Sequence, residues 1–379
     1  MDNRIVIVGD LFPVPSNFNK FAEGDVNYLF GEKICKIFGD ADYRICNLEG
    51  ALTDDLERCD KTGPIITAPT SVVNAYKALG IDYCMLANNH ITDGGSKGVI
   101  STLKTLKEVG IKSIGAGLNC TSIPHHVILS IGDKRVGIYN VCETMYNKPT
   151  LQKAGAWIYD EYIVCKEIEQ LKTECDYLIV IYHGGIEKFR YPSRETRKRF
   201  HRMADCGADV VLSQHTHCIG CEEYYNNTYL LYGQGDFLFN NFRPELTKYG
   251  LIIELIIDKT GLNVRKHQTK CLKSFSLQYI DKPDLSDFEE RSKLLSDEEY
   301  VDGQFRLFCE QELRTYLLAF KSTGIGPGFF RRFLPTRFEK WLKTEAFSRR
   351  NLMFILHTLR SEQNRETAIV GLENLLKID

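Results

Sequence analysis

From Arg4 to about Lys270, short runs of β-branched and aromatic residues alternate with stretches whose apolar positions recur every three or four residues. The short runs predict strands at Arg4–Val8, Tyr43–Cys46, Asp82–Leu86, Lys112–Ile114, Tyr177–Tyr182 and Asp209–Leu212. The longer periodic stretches predict helices at Asp25–Phe38, Thr70–Leu79, Ser96–Val109, Glu161–Thr173 and Ser193–Cys206, several of them ending at a glycine. Three further segments fold back over tight turns and predict hairpins. They are His126–Ile131 to Arg135–Val141 across Gly132-Asp133, Glu223–Tyr232 across Asn226-Asn227, and Leu251–Ile257 to Leu262–Thr269 across Thr260-Gly261. Parallel βα units enlarged by antiparallel hairpins predict an α/β sandwich of two mixed sheets with helices outside.

The pattern changes near Asp281-Lys-Pro-Asp, where a polar linker leads into a mostly helical tail. We therefore read residues 1–280 as one domain and 285–379 as a helical extension. Helical periodicity covers Phe305–Phe320, breaks at Gly324-Ile-Gly-Pro-Gly328, and returns at Arg337–Ala346, Arg350–Arg360 and Thr367–Lys377. The stretch 328–343 interleaves Phe329, Phe330, Phe333 and Trp341 with basic residues. Two roles fit it: a helical cap packed on the main domain, or weak contact with an anionic membrane surface.

Composition narrows the class of protein. The chain has 379 residues, enough for one large core with an appendage. Its 48 basic and 50 acidic residues give a formal charge of −2, and no nucleic-acid partner is expected. Thirteen scattered cysteines form no even framework, so a reducing compartment is expected. The opening run Arg-Ile-Val-Ile-Val-Gly-Asp is too short for a signal peptide or a membrane span and reads as the first strand. Together these place the protein in the cytoplasm, with a peripheral position at the inner membrane face left open.

The chemistry gathers at strand ends. Asp10, Asn47 with Glu49, Asn89 with His90, His183, and His215 with His217 each follow a predicted strand. Ligands collect at the carboxyl ends of strands in α/β sheets, and imidazoles, carboxylates and amides meeting there suit a two-metal hydrolytic centre. Two His one residue apart, His215-Thr-His217, can aim at neighbouring metals. Asp93, three residues after His90, can orient that imidazole and raise its basicity. Asp10 and Glu49 also read as turn or cap carboxylates. Cys218-Ile-Gly-Cys221 has no second cysteine pair at zinc spacing and reads as structural. Ile114-Gly-Ala-Gly117 lacks the third glycine of a dinucleotide fingerprint.

Taken in order, Val-Gly-Asp10, Asn47-Leu-Glu49, Asn88-Asn89-His90-Ile-Thr-Asp93-Gly, Gly115-Ala-Gly-Leu-Asn119, His183-Gly-Gly-Ile-Glu187, Gly207-Ala-Asp209, His215-Thr-His217 and Gly235-Asp236-Phe-Leu-Phe239 resemble the poly-gamma-glutamate capsule-synthesis (CapA) family. The resemblance covers about residues 4–245. It implies a calcineurin-like metallophosphoesterase fold, a four-layer sandwich holding two divalent metals. Manganese, iron and zinc all suit such mixed nitrogen and oxygen ligands. It further implies that Asp10 and His217 serve the first metal, that Glu49 lies beside both, that Asn89, His183 and His215 serve the second, and that His90 stands nearby as an acid. Three departures bear on the site, one of them Gly184, which stands where many members have Trp. The Asp-x-His opening of calcineurin-like enzymes has Phe12 in place of the imidazole, and Gly-Asp236-Phe stands where the family usually has Gly-Asn-Phe.

The expected activity is metal-dependent hydrolysis of a phosphoester or an anionic polymer linkage, in capsule or cell-envelope polymer metabolism. Lys61, Glu143, Glu187 and Arg194 are the substrate-binding candidates. Two other readings stay open: a ligase or transfer component for poly-gamma-glutamate or related amides, and a non-catalytic polyanion-binding assembly protein.

Overall fold

The computed structural model describes residues 3–55, 61, 63–239, 245–321 and 349–376. Two large mixed sheets face one another. The first has seven strands, in the order Leu277–Tyr279, Gly261–Cys271, Tyr249–Asp258, Asn3–Leu11, Tyr43–Leu48, Tyr83–Met85, Lys112–Ile114. The second has six, in the order Glu222–Tyr225, Thr228–Leu231, Val210–Gln214, Tyr177–His183, Lys134–Cys142, His126–Ile131. In each sheet the βα units supply parallel neighbours and the hairpins extend the edges antiparallel.

Strand alternation explains why the sheets stack. Ile5, Ile7, Ile45, Met85, Ile253 and Leu255 face inward from the first sheet, and Ile138, Ile179, Ile181, Val210 and Leu212 from the second, in one fully buried cluster. The other face of the first sheet, through Val6, Val8, Cys46 and Leu48, packs against the helix Val26–Gly39 at Phe30, Ile34 and Phe38. The helix is broken at Gly31, with φ of 73°, and beyond the break Ile34 and Phe38 lie four positions apart on one stripe. Helices Glu161–Lys172 and Arg194–Asp205 bury Val164, Ile168, Leu171, Phe200 and Met203. The result is the expected two-sheet sandwich flanked by helices.

Element boundaries differ from the expected ones at a few places. The predicted helix Thr70–Leu79 starts as a 3₁₀ turn, Thr70–Val72, behind Pro69 and becomes α-helical at Val73–Ala78. A short helix, Phe18–Glu23, and a seventh strand for the first sheet, Leu277–Tyr279, have no periodic signal long enough to predict them. The strand ends run further than predicted and carry the polar residues with them: Asp10 lies within Asn3–Leu11, and His183 closes Tyr177–His183.

Backbone contacts divide the chain into two compact units. The first holds both sheets and runs to Glu298, apart from two short segments, Asp60–Pro64 and Thr144–Tyr146. Those segments join Glu299–Asp379 in the second unit. Its described helices are Glu298–Lys321, Arg349–Arg360 and Glu362–Leu376. There the ring of Tyr146 stacks on His357 at 5.2 Å, and Asn364 bonds the same imidazole at 3.0 Å. The predicted helix Arg337–Ala346 and the stretch 328–343 lie outside the described residues. No helix among the described residues is long and apolar enough to cross a membrane.

Candidate metal centre

The parallel pairing of Asn3–Leu11 with Tyr43–Leu48 skips a residue between Val8 and Asp10, so Asp10 comes to stand opposite Asn47. Such a bulge re-aims the side chain beyond it. It falls at Gly9, where a Cβ would lie 2.3 Å from the carbonyl oxygen of Gly235, so only glycine lets the two backbones approach. The Asn47 amide then donates to Asp10 Oδ1 at 2.7 Å and lies 3.2 Å from His183 Nδ1. Asp10 Oδ2 accepts the backbone N–H of His215 at 3.3 Å and stands 3.3 Å from His217 Nδ1.

The Gln-His-Thr-His loop after strand Val210–Gln214 is bent twice into the left-handed region, with φ of 87° at His215 and 54° at His217. Each such residue costs about 1–3 kcal/mol and persists only where its surroundings impose it. The bends bring the rings of His183 and His215 to 4.9 Å and those of His215 and His217 to 5.8 Å. Neither ring nitrogen of His215 has a hydrogen-bond partner among the described residues, although the ring is about 1% exposed. Glu49 Oε1 reaches into the same space, 3.7 Å from His183 Nε2 and 4.0 Å from His217 Nε2. His183 Nε2 is also 2.9 Å from Asn89 Oδ1.

Beside this cluster His90 turns Nδ1 to Asp93 Oδ2 at 2.7 Å, while its Nε2 lies 4.0 Å from Glu49 Oε1. Asp93 is itself held by the backbone N–H of Ile66 at 2.6 Å. The loop that carries the pair is tied down by Asn88, whose amide donates to Leu48 O and to Asn47 Oδ1, at 2.8 and 3.1 Å.

The donor set fits divalent cations. Glu49, His215 and His217 each bring one donor atom within 4.8 Å of the others, and so do Asp10, His217 and Asp236. Burial drives the His183 imidazole well below its ordinary range against the opposing charge of Asp10, and holds His215 down to about 4 against that of Glu187. Both rings therefore keep a lone pair at neutral pH. Burial alone would raise the Asp10 carboxyl, but the hydrogen bond with His217 leads the interactions that outweigh it and keep Asp10 ionised.

These shifts set a pH dependence for the metal-free protein. Unfolded, the His215 imidazole protonates near 6.5; folded, it does so only at about 4. The unfolded chain binds the extra proton across that window. Stability is therefore level above pH 6.5 and falls as pH drops to about 4, by about 3 kcal/mol from this group, with His183 acting in the same direction. Urea midpoints of chelator-treated protein between pH 7.5 and 4.5 measure it, and a flat profile would contradict the burial argument.

A family model, the bacterial capsule synthesis protein PGA_cap, matches residues 4–241. The chain belongs to this family. Capsule biosynthesis protein CapA of Bacillus anthracis is 28% identical over 261 residues, covering 64% of this chain and 63% of that protein. "Probable polyglutamine synthesis accessory protein" of Mycobacterium tuberculosis is 29% identical over 227 residues, covering 56% of this chain and 60% of that protein. The match thus spans less than two thirds of either relative. Among solved structures, a phosphatase of Mycoplasma pneumoniae aligns at 12% identity with a TM-score of 0.45, over 76% of this chain and 99% of that one.

Within this PGA_cap chain the structure brings together Asp10, Glu49, Asn89, His90, Asp93, His183, His215 and His217, from five strand ends. The four substrate-binding candidates separate. Glu143, about 3% exposed, sits in the cluster itself, with Oε1 3.5 Å from His215 Nε2 and Oε2 accepting the Gly185 N–H at 3.3 Å. Glu187 is partly buried and its charge acts on His215. Arg194 is exposed in the first turn of helix Arg194–Asp205, and Lys61 belongs to the second unit. Cys218 and Cys221 are buried, and burial lifts both thiols, Cys218 to about 12, which suits inert core cysteines.

Two of the departures, Phe12 and Asp236, are both at this centre. Phe12 is about 2% exposed, and its ring fills the space over Gly50, where a Cβ would lie 2.6 Å away. Asp236 lies 2.7 Å from His217 Nδ1. The sequence reading marks Asn47 at its strand end without giving it a role, and it leaves Asp236 and Asn88 out of the site; the two amides fix Asp10 and the Asn89-His90 loop. The same strand-end rule that finds Glu49 also reaches Asn47.

Proposed function

We propose that this PGA_cap protein is a metal-dependent hydrolase of a phosphoester or an anionic polymer linkage, working in capsule or cell-envelope polymer metabolism. The observation that carries the reading is the burial of Glu49, His215 and His217 with donor atoms within 4.8 Å, beside a His90–Asp93 pair facing the same carboxylate. Asp10, Glu49, Asn89, His183, His215 and His217 would hold the cations, manganese, iron or zinc. A divalent cation bound there supplies Lewis acidity, which generates a nucleophile at neutral pH and stabilises charge developing on oxygen.

The remaining chemistry belongs to the chain. Asp93 holds a proton on His90 Nδ1 and stabilises the imidazolium, so Nε2 can carry a second proton and deliver it to the leaving oxygen or nitrogen. Burial of His183, His215 and Glu49 keeps bulk water from competing with the substrate. Elemental analysis of protein purified without chelator, joined to a screen of phosphoesters and poly-gamma-glutamate, tests the proposal. Bound metal with turnover supports it, and a metal-free, inactive protein overturns it. The loss of an imidazole at Phe12 favours a second reading, a polyanion-binding assembly protein, which bound metal without turnover would support.

A further inference from the structure

We propose that Asp236 supplies the third donor of the first metal position, in place of the imidazole that Phe12 displaces, and tunes that position to a hard cation such as Mn²⁺ over Zn²⁺. This rests on the metal-centre reading above and assigns a residue outside its ligand set.

Position comes from the backbone. The N–H groups of Phe237 and Leu238 both donate to the carbonyl of Asp10, at 3.0 and 3.1 Å, and the N–H of Phe12 donates to the carbonyl of Leu238 at 2.9 Å. The segment carrying Asp236 is thus laced to the Asp-x-Phe turn whose missing imidazole it would replace. Gly235 makes the approach possible, with φ of 73° and no room for a Cβ, which would lie 2.5 Å from the carbonyl oxygen of Tyr249.

Donor spacing and charge point the same way. His217 Nδ1 lies 2.7 Å from Asp236 Oδ1 and 3.3 Å from Asp10 Oδ2. Neighbouring ligand atoms on an octahedral cation with bonds of about 2.1 Å stand about 3 Å apart, so these two separations match adjacent ligand positions, and all three donor atoms lie within 4.8 Å of one another. Asp236 is about 5% exposed and Asp10 is fully buried. Two carboxylates and one imidazole make a mostly oxygen, anionic donor set, the kind that hard divalent cations take. With two carboxylates and one imidazole the first position is harder than the second, where His183 and His215 join Glu49 and Asn89. Loss of an imidazole at Phe12 and gain of a carboxylate at Asp236 then become one exchange of ligands.

The substitution Asp236→Asn separates a ligand from a residue that only orients His217, because the amide oxygen can still accept the Nδ1–H but is a weak metal donor. Full-length wild type should bind two Mn²⁺ per chain by titration calorimetry and by elemental analysis after gel filtration. Asp236→Asn should keep the second and weaken the first by at least about 100-fold, beyond the usual effect of an orienting partner. It should lose part of the Mn²⁺-induced rise in Tm while its metal-free Tm stays at or above that of wild type. Asp236→His should regain the first cation with its preference moved toward Zn²⁺. Unchanged Mn²⁺ stoichiometry and affinity in Asp236→Asn would overturn the proposal and leave the metal centre standing. A wild type that binds no divalent cation would overturn both.

Discussion

His217→Ala should lose bound metal and activity together, whereas His90→Gln should keep its metal and lose turnover by about 10²–10⁴-fold. The contrast comes from the surroundings of each ring. His217 lies among Asp10, Glu49 and Asp236 and is shared by both sets of donor atoms, so its removal disrupts both. His90 reaches only the edge of the cluster, 4.0 Å from Glu49, with its far nitrogen fixed by Asp93. An acid removed leaves the ground state bound and the transition state without its proton. Asp93→Asn should fall between wild type and His90→Gln in rate and move the alkaline limb of the pH profile to lower pH, because the imidazolium loses its counter-charge. Metal per chain by elemental analysis and kcat on the best substrate from the screen measure these effects. Full occupancy and full activity in both His variants would remove both roles.

The periodicity of the chain makes the layers legible because each layer buries a face with its own period. Ile5, Ile7 and Ile253, Leu255 alternate along strands, and Ile34 and Phe38 return after one helical turn. Strand ends make most of the centre legible for a topological reason: parallel strands all point the same way, so the residues at their carboxyl ends meet. The rest depends on geometry that no period records. Asp236 lies five residues past strand Thr228–Leu231 and arrives through backbone hydrogen bonds to Asp10, so only its departure from the family pattern marks it. Glu143, after a hairpin strand, reads in the sequence as a substrate-binding candidate, and nothing there places it among the ligands. It is buried because strand Lys134–Cys142 lies inside the second sheet, beside Tyr177–His183, and delivers its end to the same place. The bulge at Gly9, which turns Asp10 toward Asn47, leaves no mark beyond a glycine in a strand.

Asn140→Leu should cost about 2–5 kcal/mol of stability and weaken metal binding as well, although Asn140 touches none of the candidate ligands. Asn140 is fully buried in strand Lys134–Cys142 of the second sheet. Its Oδ1 accepts the N–H of Ala87 at 2.9 Å, and its Nδ2 donates to the carbonyl of Ile181 at 3.1 Å. Ala87 belongs to the loop that leaves the first sheet and carries Asn88, Asn89 and His90, so one amide pins that loop to the opposite sheet. Gly115 makes room for it: a Cβ there would lie 2.1 Å from Asn140 Oδ1. Leucine keeps the branched shape and removes the amide, which leaves a buried N–H without its acceptor at a cost of about 1–3 kcal/mol, with a smaller loss at the carbonyl. The loop then relaxes to find water, Asn89 Oδ1 moves away from His183 Nε2, and the second cation loses a neighbour. Urea midpoints with and without added Mn²⁺ separate the two effects. Ile138→Val in the same strand, which removes one methylene from the inter-sheet core, should cost only about 0.5–1.5 kcal/mol and leave the metal-induced shift intact. If Asn140→Leu and Ile138→Val behave alike, the amide is packing and not a pin, and the coupling between sheet and site falls.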